Sequence, residues 1–175
     1  MWLKIILFAA YAATIPASNW LIGNFGTVCV PNGPCLIPVA PGLMAPSGVL
    51  MVGLALVLRD AVQEVGGVKL AIIAILFGGV ISAFVAPPAL VVASVTSFLL
   101  SETLDLAVYT PLRSKSFAVA VLASGIVGAA ADSAAFLWIA FGSLDYVAGQ
   151  IVGKVGISAI VAITIAMIAA QEADQ

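Results

Sequence analysis

The feature that most constrains the fold is a series of apolar runs, each about twenty residues long, joined mostly by short turns. A run of that length forms one α-helix across the roughly 30 Å hydrocarbon core of a bilayer. Of the residues, 63% are hydrophobic and only 8% are charged, whereas soluble domains carry about 25% charged residues. The pattern predicts an all-α integral membrane protein whose residues 1–175 form a single transmembrane domain.

We expect a compact bundle of six transmembrane helices in this domain. The predicted spans are residues 2–21, 46–65, 68–85, 88–109, 116–141 and 146–170. The connection at 23–47 is rich in proline and glycine and carries no charge. Its prolines exclude a regular helix, and its apolar residues predict an outer loop that folds down over the mouth of the bundle.

Cys29 and Cys35 lie in this loop and flank a turn marked by Asn32 and Gly33. If the loop faces an oxidising compartment, the two cysteines can form a disulfide. Two unpaired cysteines in a capping hairpin are the alternative.

Lysine and arginine lie at alternate ends of the predicted helices. The residues concerned are Lys4, Arg59, Lys69, Arg113 and Lys115. The loops at 23–47, 84–90 and 142–146 contain neither residue type. Because cytoplasmic loops of membrane proteins carry the excess of positive charge, the distribution predicts that both termini are cytoplasmic.

One group of polar residues lies toward the cytoplasmic ends of helices two and four. Glu102 and Asp105 are three residues apart and therefore share one helix face, which lipid cannot solvate. We expect the group to form a charge network that closes the inner end of a transport path. Carboxylates solvated at the membrane surface are the alternative. The members of this inner gate are Arg59, Asp60, Gln63, Glu64, Glu102, Asp105, Tyr109 and Arg113.

A second group lies in the outer half of the predicted bundle. At about 1.5 Å per residue, Asp132 and Lys154 lie at matching depth on consecutive helices. They are candidates for a buried ion pair or for two ligands of one solute, with a purely structural pair as the alternative. The expected substrate-binding residues are Asn19, Trp20, Asp132, Phe136, Gln150 and Lys154. Trp20 and Trp138 can equally serve as anchors at the membrane interface.

The chemistry of this second group suits a flat heterocycle. The adjacent N–H donors of a guanine-type edge can both donate to one carboxylate. Amide side chains can serve the remaining ring atoms, and an aromatic side chain can stack on the ring plane.

Other function classes find little support in the sequence. The chain has no histidine, so neither a histidine-based triad nor a histidine-ligated metal site is available, and no nucleophile-elbow motif is present. We therefore expect no enzyme activity, no catalytic residues, no metal and no cofactor. The net charge is −2 and no basic cluster is present, so nucleic acid is not an expected partner.

Several segments carry a resemblance to a known family. They are LRDAVQEVG at 58–66, SETLD at 101–105 with VY at 108–109, DSAAF at 132–136 with AF at 140–141, GQIVGK at 149–154, and NW at 19–20. In their order and spacing the chain resembles the vitamin uptake transporters, also called queuosine precursor transporters. That family in turn resembles the substrate-binding S-components of energy-coupling-factor importers, which are six-helix bundles that bind solute near the outer face.

The resemblance implies import of a small heterocyclic base, a 7-deazaguanine precursor of queuosine (preQ0- or preQ1-like), across the inner membrane of a prokaryotic (or phage-host) cell. The sequence leaves three function classes: a transporter acting alone, an S-component that docks on energy-coupling-factor partners, and a membrane enzyme. Ala9, Ala13 and Ala17 form a ridge of small residues that suits close packing against such a partner. A homodimer is also left open.

Overall fold

The computed structural model describes residues 2–31 and 33–173; beyond Val161 it describes side chains only for Ile163, Thr164 and Met167. The elements are helix α1 (Trp2–Asn24), strands β1 (Val28–Cys29), β2 (Cys35–Ala40) and β3 (Leu43–Pro46), and helices α2 (Val49–Val85), α3 (Val91–Leu112), α4 (Phe117–Phe141) and α5 (Val147–Ala173), with a short 3-10 turn at Pro88–Leu90 ahead of α3.

Most of these helices are suited to a membrane. Within the described residues, four are long and apolar enough to cross it, namely Trp2–Asn24, Val49–Val85, Pro88–Leu112 and Phe117–Phe141. Helix α5 adds a shorter apolar stretch at Val147–Val161. The protein is therefore a mostly helical, multi-pass membrane protein, as predicted. The six predicted spans do not appear as six separate elements, because the predicted second and third helices continue into each other as α2.

Helix α2 has 37 residues and is broken once near its middle. Gly67 has φ 75° and ψ 174°, outside the helical region, so a kink separates residues 49–66 from residues 68–85. A positive φ of this kind favours glycine because a Cβ would be strained there. The break falls in the predicted gap between residues 65 and 68.

The connection between α1 and α2 is a three-stranded antiparallel sheet in the order β1-β2-β3. The all-α prediction did not contain this sheet. Its register pairs Cys29 with Cys35 and Ile37 with Ala45, and Cys29 and Cys35 form a disulfide. The predicted turn residue Asn32 lies outside the described residues.

The sheet packs against the helices. Strand β2 contacts α1 and α5, and β3 contacts α5. Leu36 and Ile37 are buried in this contact, and Gly149 of α5 lies directly against the main-chain carbonyl of Met44.

The distribution of polarity is the reverse of that in a soluble protein. Large apolar side chains face outward, with Phe84 85% and Trp2 74% exposed, while Arg59 and Asp105 are 0% exposed. In lipid, a polar group must find its partners inside the protein. The functional candidates are therefore the buried polar residues.

Candidate functional site

A cavity of about 100 Å³ lies between all five helices and the end of the sheet. This is several times the volume that one water molecule requires. We call it the central cavity. Its polar lining consists of Thr14, Ser18, Asn19, Ser82, Ser94, Ser97, Ser101, Glu102, Asp132, Gln150 and Lys154, and its apolar lining includes Phe98 and Phe136.

Lys154 is the centre of the polar wall of this cavity. Its Nζ donates to Asp132 Oδ2 at 2.5 Å, to Ser133 Oγ at 2.8 Å and to Gln150 Oε1 at 2.8 Å. These are the three bonds that an ammonium group can make. The ion pair predicted from matching depth is present, and Gln150 joins it from one helical turn before Lys154. We call these four residues the Lys154 group.

Some hydrogen-bonding atoms of the Lys154 group and of its neighbour Asn19 are not used within the protein and are available to a solute in the cavity. The side chain of Asp132 is 12% exposed, and in the described part of the chain only its Oδ2 receives a hydrogen bond. Gln150 uses its carbonyl oxygen for Lys154, which leaves its amide N–H groups for a solute. Asn19 donates to the main-chain oxygen of Ile15 at 3.0 Å and keeps its side-chain oxygen. A carboxylate, an amide donor and an amide acceptor thus line one cavity together with the ring of Phe136.

The structure does not bring Trp20 into this site. Trp20 is 60% exposed and does not line the cavity. Consecutive residues on an α-helix point about 100° apart, so when Asn19 faces the cavity Trp20 faces outward. Trp138 is 64% exposed in the same way, consistent with the alternative of an interfacial anchor.

The sequence prediction missed part of the hydroxyl lining. Ser18 and Ser82 line the cavity beside the serines of α3. Ser18 lies four residues after Thr14, another cavity residue of α1, whereas Ser82 is the only serine or threonine of α2. Ser94, Ser97 and Ser101 follow a spacing of three and four residues, which places them on one face of α3. The sequence already places these serines along the flank of the face that carries Glu102 and Asp105, which indicates a polar helix wall, but they were not among the predicted substrate-binding residues.

Close helix contact holds Lys154 in place. Gly53 of α2 faces the main chain of Lys154, and a Cβ at position 53 would lie 3.0 Å from its Cα and 3.0 Å from its carbonyl oxygen. On the other side of α5, a Cβ at Gly125 of α4 would lie 2.7 Å from Ser158 Oγ. Glycines at both contacts bring these helices closer than side chains would allow.

Below the central cavity, three carboxylates surround one guanidinium. Arg59 Nη1 lies 3.0 Å from Asp60 Oδ1, its Nε 3.2 Å from Glu102 Oε2, and its Nη2 2.6 Å from Asp105 Oδ1. The side chains of all four residues are at most 2% exposed. We call them the Arg59 cluster.

The remaining members of the predicted inner gate form a second set, of which only Glu64 and Arg113 are partly exposed. Tyr109 donates to Glu64 Oε1 at 2.6 Å, and Arg113 Nε lies 3.1 Å from the same oxygen. Glu64 and Arg113 are 34% and 29% exposed. Arg59 reaches this set through Gln63, to which it donates at 3.2 Å, and through the ring of Tyr109, 5.6 Å from the guanidinium carbon. The predicted single charge network is therefore two networks, the Arg59 cluster and the set around Glu64, which are joined through Gln63 and Tyr109.

Glu102 connects the Arg59 cluster to the central cavity. It accepts from Arg59 and also lines the central cavity. Glu102 is therefore the residue at which the Arg59 cluster and the central cavity meet.

Comparison with known proteins identifies a family for this chain. Residues 82–170, just over half of the chain, match the family model described as "Putative vitamin uptake transporter". The matched stretch includes Glu102, Asp105, Asp132, Gln150 and Lys154. No curated protein and no solved structure matches the chain.

Proposed function

We propose a function from one premise: this chain belongs to the vitamin uptake transporter family. Its substrate is a small molecule and its environment is a membrane. The specific function that we assign is the import of a small heterocyclic base, a 7-deazaguanine precursor of queuosine, across the plasma membrane of a prokaryotic (or phage-host) cell.

The observation that carries the assignment is the Lys154 group in the wall of the central cavity. Asp132 offers a carboxylate oxygen to the adjacent N–H donors of a guanine-type edge. Gln150 and Asn19 offer an amide donor and an amide acceptor, and Phe136 offers a ring face. The site is not suited to bind a phosphate or a carboxylate. Among the described residues that line the cavity, Lys154 is the one cation, and it already makes three hydrogen bonds within the protein.

For the path through the membrane we propose six spans with both termini in the cytoplasm. Each half of α2, at 49–66 and 68–85, has 18 residues and a length of about 27 Å, close to the thickness of the hydrocarbon core. The disulfide-closed sheet then lies on the outer side, and the cavity opens toward it. The inner end is closed by the Arg59 cluster together with Glu64, Tyr109 and Arg113.

A second candidate is the S-component of an energy-coupling-factor importer. The observation in its favour is that Ala9 and Ala13 are exposed on α1, where a partner helix could pack closely. A homodimer through the same face is a variant of this arrangement.

The test is a binding screen on the purified full-length protein with 7-deazapurines, purines and vitamins. A 7-deazaguanine base should bind most tightly, and Asp132→Asn should weaken it. Asp145→Asn is the matched control, because Asp145 is an exposed carboxylate in the α4–α5 turn. A vitamin that binds better than every deazapurine would overturn the substrate assignment.

Uptake into proteoliposomes separates the two candidates. A transporter acting alone should accumulate or equilibrate the base without any other protein. An S-component should bind the base equally well but move none of it until an ATPase and a scaffold subunit are added.

A further inference from the structure

We propose that the Arg59 cluster binds a proton at Glu102 and exchanges it once in each transport cycle. The coupling to transport rests on the proposed function, because it requires that the central cavity binds the carried solute. The proton site itself follows from buried charge and from buried polar atoms that make no well-aligned hydrogen bond.

The charges in the cluster do not balance. One guanidinium faces three carboxylates, so the fully ionised cluster carries two uncompensated negative charges. Among the described residues the neighbouring cations are already paired, Lys154 with Asp132 and Arg113 with Glu64. Uncompensated charge in a membrane interior is strongly unfavourable, and uptake of a proton by a carboxylate removes one such charge.

Buried polar atoms without a well-aligned hydrogen bond point to the same place. In the described residues, both carboxylate oxygens of Asp105 and Oδ1 of Asp60 accept no well-aligned hydrogen bond, although the Oδ1 atom of each residue lies in ionic contact with Arg59. The hydroxyl of Tyr11, a residue that is 0% exposed, also has no partner. It lies beside Glu102, and its ring packs against Phe98 one turn earlier on α3. A protonated carboxyl supplies an O–H donor that such acceptors can receive.

Glu102 is the member of the cluster best suited to hold the proton. Of the three carboxylates it alone lines the central cavity, from which a proton can reach it. Its contact with Arg59, at 3.2 Å, is the longest of the three. When that contact is lost, Arg59 keeps its ion pairs with Asp60 and Asp105.

Groups on every surrounding helix face Glu102. Tyr11 approaches from α1, Arg59 and Asp60 from α2, Asp105 from the next turn of α3, Asp132 from α4, and Lys154 of α5 lines the same cavity. Of these, Arg59 is the group that stabilises the ionised form by direct contact.

The step is a proton transfer between cavity water and Glu102. An oxygen of the carboxylate forms an O–H bond, its charge changes from −1 to 0, and the ionic attraction to Arg59 Nε is lost. Release of the proton toward the cytoplasmic side restores that ion pair. Arg59 also contacts Gln63 and Tyr109 of the proposed inner gate. Loss and return of the Glu102–Arg59 ion pair therefore link the cavity to that gate.

The first experiment needs no solute. At neutral pH exposed carboxylates are ionised, so a carboxylic-acid C=O band in the infrared spectrum of the purified protein, in a detergent without ester groups, reports a buried protonated group. We expect such a band in the wild type and in Asp145→Asn, its loss in Glu102→Gln, and a shifted band in Glu102→Asp. A wild type without the band, or a band that persists unchanged in folded Glu102→Gln, overturns the proton site.

The second experiment tests coupling by titration calorimetry with a 7-deazaguanine base in two buffers of different ionisation enthalpy. A difference in binding enthalpy measures the protons exchanged, and we expect it for the wild type and Asp145→Asn but not for Glu102→Gln. Equal enthalpies in the wild type overturn the coupling and leave the proposed function standing. If no base binds, the proposed substrate fails, and the infrared band still decides the proton site.

Discussion

Gly53 lies against the main chain of Lys154, so closely that an added Cβ would approach both the Cα and the carbonyl oxygen of Lys154 to 3.0 Å. The cation at the centre of the polar cavity wall is thus positioned by a contact between helices α2 and α5, as well as by its own three hydrogen bonds. The position of the site depends on a residue with no functional group.

This contact gives the first prediction. Gly53→Ala should push α5 outward, weaken solute binding by about tenfold or more and lower the thermal unfolding temperature, because the neighbour to be displaced is main chain. Gly156→Ala is the control on the same pair of helices: a Cβ there meets nothing within 4 Å, and alanine favours a helix over glycine by about 1 kcal/mol. Equal effects of the two changes would contradict the close-contact explanation.

The second prediction concerns recognition by Asp132. A hydrogen bond to a charged group contributes about 1.5–3 kcal/mol, so Asp132→Asn should weaken binding of a 7-deazaguanine base roughly tenfold to a hundredfold. The fold should persist, since asparagine keeps the shape and its oxygen can still accept from Lys154.

A solute analogue without the exocyclic amine distinguishes direct contact from an indirect effect. The analogue should bind the wild type more weakly, but the same deletion should cost little further affinity in Asp132→Asn. If the two losses simply add, Asp132 does not touch that amine, and the purely structural ion pair is the better account.

The third prediction concerns stability. Lys154→Met removes the cation and leaves Asp132 without its only protein donor among the described residues, a change that typically costs about 3–5 kcal/mol in a buried pair. Adding Asp132→Asn to Lys154→Met should recover part of the loss, since no buried charge is then left unpaired. Thermal unfolding in detergent measures both, with exposed Lys115→Met as the neutral control.

Much of the fold follows from local pattern. The apolar runs and the glycine pair at positions 66 and 67 place the helices and the break in α2. The three-stranded sheet does not follow in the same way, because strands of two to six residues with prolines show no alternation of polar and apolar residues. Their pairing depends on the disulfide and on burial against α5, which are tertiary features.

The site is predictable where two residues are fixed by one helix or by depth. Gln150 and Lys154 are four residues apart, and counting along the helices brings Asp132 to the level of Lys154. The rotation of α1 is harder to read, because an apolar helix in lipid can bury any of its faces; Asn19 enters the cavity and Trp20 does not. Glu102 both pairs with Arg59 and lines the cavity. Predicting this requires knowing how α2 and α3 pack against each other, and no local sequence pattern encodes that packing.

The last prediction tests the proposed topology through the outer sheet. Cys29 is exposed, whereas Cys35 is 3% exposed, and the two are joined by a disulfide. In intact cells, Cys35→Ser should therefore free an accessible thiol that reacts with a membrane-impermeant reagent without prior reduction. Cys29→Ser, which leaves only the buried thiol, should react slowly, and the wild type should react at Cys29 only after reduction. Labelling of Cys35→Ser that appears only after lysis would place the sheet in the cytoplasm and reverse the orientation of every helix.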